Sequence, residues 1–139
     1  MTRKTPRARV ESGKSASFRG MGEQFMKAAG LARDHGYWNA AGLLIVHAAI
    51  AYADAVSIGL AGMKSTSDSH TDVVHLLAEA AAREKDLDRA LGHLKKILDE
   101  KNRVAYTGEM FRRQEVEALE THAERFRAWA GAVIGLHAG

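Results

Sequence analysis

A chain of 139 residues is long enough for one domain with its own core, and a hydrophobic content of 46% with 27% charged residues is the balance of a soluble globular protein. The absence of cysteine excludes disulfide scaffolds, thiolate metal sites and cysteine nucleophiles. The net charge of +3 is uneven: Arg3, Lys4, Arg7, Arg9, Lys14 and Arg19 stand against Glu11 alone in the first stretch, so the remainder is net acidic.

Residues 1–16 are polar and basic and hold Pro6, the only proline. They read as a disordered arm without the apolar core of a signal peptide, able to touch nucleic acid or another acidic surface through charge. Gly13-Lys14-Ser15 has the look of the end of a phosphate-binding loop. Ala8 stands where that loop needs its first glycine, and no strand is expected before it, so the motif is set aside. No alternating β-branched run occurs elsewhere either, which makes the expected class all-α.

A first helix is predicted over 17–34, with Phe18, Met21, Phe25, Ala28 or Ala29, and Ala32 on one apolar face. Ser15 or Ser17 would cap it, and Gly36 would close it in a left-handed conformation. A second helix follows over 40–61, with Asn39 as its cap. It is rich in alanine and apolar on nearly every side, as a helix surrounded by others must be. Its length would also span a membrane, but His47, Asp54 and Ser57 inside it argue for a buried central helix. His47 and Asp54 are seven residues apart and so share one stripe.

GMKSTSDS over 62–69 is expected as a loop. A short helix over 70–83 turns Val73, Leu76, Leu77 and Ala80 inward. A fourth runs over 87–105 from a cap at Asp86, with Leu87, Leu91, Leu94, Leu98, Lys101 and Ala105 on its stripe. A fifth runs over 112–136, with Val116, Leu119, Ala123, Phe126, Ala130 and Val133 inward and Trp129 beside them. Its Arg and Glu residues read as a solvated face. Short connections make this an up-and-down bundle of four to five helices.

Lys101 within an apolar stripe needs an acid, and Asp54 within the second helix needs a base. The economical arrangement sets Asp54, with His47 before it, against Lys101 in a polar pocket inside the bundle. Arg103 and Tyr106, at the end of the same helix, extend the candidate binding set; Arg103 lies about 200° round from Lys101. His70 and His75 are badly spaced for one helical face, even with Asp68 and Asp72 nearby, so no metal site and no cofactor are expected. Ser57 lacks the Gly-x-Ser-x-Gly setting of a nucleophile elbow.

The segments HAAIAYADAVSIGLAG, SDSHTDVVHLLAEA, ALGHLKKILDEKNRVAYTGEMF and LETHAERFRAWA, in that order and spacing over about residues 20–130, resemble bacterial HEPN-superfamily proteins, small stand-alone members above all. The resemblance implies a HEPN-like helical bundle over 17–139, a homodimer, and a role in binding or cutting nucleic acid or nucleotides, often in a toxin–antitoxin or defence setting. A nucleotidyltransferase-type protein partner belongs to the same implication. Active members are metal-independent ribonucleases carrying an Arg, four to six residues, then a His at a dimer cleft. Here Arg103 takes the place of the Arg, but Gly108, Glu109 and Met110 occupy the positions where the His would stand. Tyr106 is the nearest group with a titratable proton, and an ordinary phenol is a poor base at neutral pH. The expectation is therefore a cytoplasmic, non-catalytic, dimeric binding protein for a nucleotide, a nucleic acid or a protein. A ribonuclease with a degenerate motif and a plain interaction module are the alternatives.

Overall fold

The alanine-rich run becomes the axis of the molecule because small side chains let other helices approach it from every side. It forms α2 (Trp38–Ala61), buried without a break from Ala51 to Ile58. Around it stand α1 (Ser15–Asp34), α3 (His70–Ala80), α4 (Leu87–Thr107) and α5 (Arg113–His137), each packed against α2. The computed structural model describes residues 5–67 and 69–137. Among these, the fold is the expected all-α bundle, with a minor two-stranded ribbon added. Although α2 is long and apolar enough to cross a membrane, most of it is buried inside the bundle.

The ribbon revises the reading of the N-terminal arm. β1 (Arg7–Arg9) pairs antiparallel with β2 (Met63–Ser65), inside the segment expected as a loop. One turn of 3-10 helix over Ser12–Lys14 then leads directly into α1. Arg7 forms an ion pair with Glu79 of α3, and the Val10 amide donates to the Gly62 carbonyl at 2.8 Å. A strand thus does precede Gly13-Lys14-Ser15, but it pairs in a ribbon and Ala8 still replaces the glycine a phosphate loop requires.

The predicted face of α1 is met in part: Ala29 is buried and Phe25 and Ala32 pack against the core, but the fully buried seam with α2 also takes two small residues that the apolar spacing does not mark, Ser15 and Gly22. Ser15, Gly22 and Ala29 are the buried positions of α1, seven apart, while Met21 is exposed. Gly22 receives the Tyr52 ring, which a Cβ there would meet at 2.7 Å. Ser15 is no cap: its hydroxyl donates to the Ala55 carbonyl at 2.7 Å, tying the two helices together. Gly36 does take the left-handed conformation, at φ 74°, between α1 and α2. Asn39 lies inside α2 rather than at its cap, and its Oδ1 accepts from the Phe111 amide at 3.3 Å. Every inward position predicted for α5 is buried, from Val116 to Val133.

Candidate functional site

The residues predicted to share one pocket are distributed over three places. Asp54 is buried on α2, 6% exposed, and its Oδ2 lies 3.7 Å from Lys64 Nζ of β2 rather than against Lys101. Burial pushes its carboxyl up to about 6 from 3.8, and the Lys64 ammonium pulls it back in part. Lys64 also lies 5.8 Å above the Phe18 ring. The stripe shared by His47 and Asp54 is covered at Asp54 and open at His47, which is exposed with its ring 5.8 Å from Phe25.

His47 and Lys101 do reach one neighbourhood, around His70 of α3. Burial first, then the charges of Lys101 and His47, hold the His70 imidazole below its ordinary pKa. Arg103 is engaged elsewhere: Glu100, Glu109 and Glu115 all pair with its guanidinium, Glu100 at 3.1 Å and Glu109 at 3.2 Å. Tyr106 is 94% exposed and lies outside any cluster. Asp68, considered above with His70 and His75, lies outside the described residues.

One concavity that the sequence reading did not single out lies between α1 and α5. α1 and α5 both pack on α2, yet their backbones scarcely approach each other. The gap between them is a cleft of about 870 Å³, within the roughly 300–1,000 Å³ common for small-molecule sites. Val56, Gly59 and Leu60 of α2, Ile134 of α5 and the turn at Ser12–Gly13 supply its mainly apolar lining. Arg19 and Glu23 of α1 and Arg127 of α5 supply its charged groups.

These charged groups have distinct roles. Arg127 grips Glu23 with two parallel bonds, Nε to Oε1 and Nη2 to Oε2, each 2.7 Å. Such a fork is the strong form of an ion pair. The Tyr52 hydroxyl donates to the same Glu23 Oε1 at 2.9 Å from below. Arg127 accordingly holds the Glu23 carboxyl below the ordinary carboxylate range, against burial and helped by Tyr52. Burial, and then Glu23 itself, push the Tyr52 phenol upward, so it stays a neutral donor. Arg33 forms a second bridge between the same helices by pairing with Glu120. The expected solvated face of α5 is therefore partly cross-linked to α1.

Arg19 differs from these. Among the described residues, no carboxylate lies within ion-pair distance of it, and it feels Glu23 only through the longer-range field. Its guanidinium reaches across to α5 at Gly131, where a Cβ would come within 3.0 Å of Nη2. With Glu23 already neutralised by Arg127, the cleft carries one uncompensated positive charge beside an apolar lining. An anion with an apolar body would satisfy both.

Gly20 sits on α1 in the lining of the cleft, and a Cβ there would meet nothing within 4 Å. Glycine inside a helix costs about 0.5–1 kcal/mol relative to alanine. Gly20→Ala is expected to raise stability by that amount in a urea titration, and a decrease would show that packing needs the glycine. No protein-family profile, curated protein or solved structure matches the chain.

Proposed function

We propose that the protein is a non-catalytic binding protein and that the cleft between α1 and α5 is its ligand seat. The observation that carries the reading is Arg19, a guanidinium without an ion-pair partner among the described residues, at the edge of a mainly apolar cleft of about 870 Å³. The cleft's volume suits a small molecule such as a nucleotide, with the phosphate on Arg19 and the base against Val56, Leu60 and Ile134. The HEPN-like resemblance supports the same ligand class and adds, as proposals, a cytoplasmic homodimer and a nucleotidyltransferase-type partner. Nothing in the geometry favours the ribonuclease alternative, since three glutamates occupy Arg103 and Tyr106 stands apart.

Thermal unfolding in the presence of AMP, ADP, ATP and GTP tests this reading. A nucleotide at one hundred times its dissociation constant stabilises the native state by about 2.7 kcal/mol. The melting temperature is expected to rise with at least one of the four, and the rise is expected to vanish in Gly20→Leu, whose side chain enters the cleft without touching the core. No rise with any of them, or an equal rise in Gly20→Leu, would contradict the proposal.

A further inference from the structure

A second concavity lies on the opposite side of α5 from the cleft. It is a groove of about 1010 Å³ between the turn at 84–86, the first turns of α4 and the second half of α5. Its lining recurs at helical spacing, with Arg89 and His93 on α4 and Arg125, Trp129 and Ala132 on α5, so it runs along the helix axes. Residues 125–133 span about 12 Å at 1.5 Å per residue, the length of about two helical turns. Two contacts fix its walls. The Trp129 indole donates from Nε1 to the Lys85 carbonyl at 2.9 Å, while its ring packs beside Phe126. At the other end, His93 and His122 join α4 to α5 through a hydrogen bond between their Nδ1 atoms at 2.9 Å.

The groove is mainly apolar in its lining and cationic along its rim. Lys85, Arg89 and Arg125 line it, and Lys96 stands two turns beyond Arg89, in the adjoining groove. All four are exposed, and among the described residues none has a carboxylate within ion-pair distance. Arg7, Arg33, Arg103, Arg113 and Arg127, in contrast, each pair with one. The unpaired charges act together: the fields of Arg89 and Arg125 both reach His93, and those of Lys96 and Arg125 both reach His122. The acids of the groove, Glu84 and Asp86, are confined to the turn at one end. Between the cations lie Ala90, Ala128, Ala132 and Val133, small enough to let a rod approach the helix backbones.

We infer that this groove docks an acidic amphipathic helix of a partner protein. Charge complementarity selects the occupant. The cations are strung along about 10 Å of α4 from Arg89 to Lys96, with Arg125 on the facing helix, so they suit several acids at helical spacing rather than one small anion. The apolar ground between them receives the partner's apolar stripe, and the fixed Trp129 ring is its aromatic anchor, a residue type that carries much of the energy of such interfaces. A sugar-phosphate backbone presents no apolar stripe to that ground, which is why a peptide rather than a nucleic acid is assigned. The groove is separate from the α1–α5 cleft, so the inference stands independently of the ligand proposed there.

Fluorescence anisotropy with the full chain tests the inference, using a labelled peptide of about fourteen residues with leucines at i, i+3 and i+7 on one face and glutamates around them. Saturable binding is expected at low salt, weakening as salt is raised. Ala132→Glu, which sets a carboxylate on the exposed lining, and Arg89→Gln combined with Arg125→Gln are each expected to weaken it at least tenfold. Lys27→Gln, which removes an exposed cation of α1, is expected to leave it unchanged. In Trp38→Phe, where Trp129 is the sole indole, the emission is expected to shift on binding. Circular dichroism confirms that each variant is folded. No saturable binding, equal binding of the peptide with glutamine in place of glutamate, equal weakening in Lys27→Gln, or tighter binding of an oligothymidylate of the same charge would overturn it.

Discussion

At pH 7.5, Asp54→Asn is expected to be more stable than the unsubstituted chain by about 3 kcal/mol, and at pH 4 the two are expected to converge. The reason is the burial of Asp54 on α2, which pushes its carboxyl up to about 6 against 3.8 in the unfolded chain. Between those values the native state holds a proton that the unfolded state has released. The favourable contribution of that proton is complete below pH 3.8 and is lost as pH rises through 6. Lys64, at 3.7 Å, compensates only part of the cost of the buried charge, because its own side chain is 35% exposed. Urea titrations of both proteins across pH 4–8 measure the difference directly. The other carboxylates affect both proteins alike, and Glu23, whose pKa is lowered, has the opposite pH slope. Parallel stability profiles would show that Asp54 is ionised at no cost.

Gly42→Ala is expected to destabilise the fold by about 2 kcal/mol, the overpacking penalty exceeding the gain in helix propensity. A Cβ on Gly42 would lie 2.4 Å from the Phe111 ring. The ring cannot step aside freely: Phe111 is 3% exposed, and its amide is bonded to Asn39 Oδ1. This contact fixes the segment between α4 and α5 against the start of α2, so the strain is expected to loosen that corner first. Hydrogen exchange at residues 108–112 would report it. The same substitution at Gly20 is expected to have the opposite sign, because the space beyond Gly20 is empty. Equal effects at the two glycines would mean that helix propensity, not packing, governs both.

The architecture was legible because it rests on local periodicity. Alanine-rich α2 reads as a surrounded helix, and the inner face of α5 follows from residue spacing alone. The α1 seam was legible only in part, for a physical reason: apolar patterning marks Phe25, Ala29 and Ala32 but passes over Ser15 and Gly22, which are buried because they are small enough for close helix contact. The need of Asp54 for a base was visible in the sequence, but its partner was not. Lys64 lies in a segment that reads as a loop and becomes a strand only by pairing with the basic N-terminal residues. The cleft was hidden more completely. Glu23 and Arg127 meet across two helices far apart in the chain, and no spacing rule links them. Arg19 read as one more charge of the N-terminal segment, and its lack of an ion-pair partner among the described residues follows only from where the folded helices set their carboxylates. His93 and His122 are likewise a product of helix packing.

The most direct measurement of the central claim is a two-dimensional amide NMR titration with AMP, run on the unsubstituted chain, Arg19→Gln and Gly20→Leu. The account predicts saturable shifts at residues 13–23 of α1 and its preceding turn, 56–60 of α2 and 131–134 of α5. Affinity is expected to fall at least tenfold in Arg19→Gln, and the shifts are expected to be absent in Gly20→Leu. Shifts centred instead on His47, His70 and Lys101, or a titration unaffected by either substitution, would contradict it.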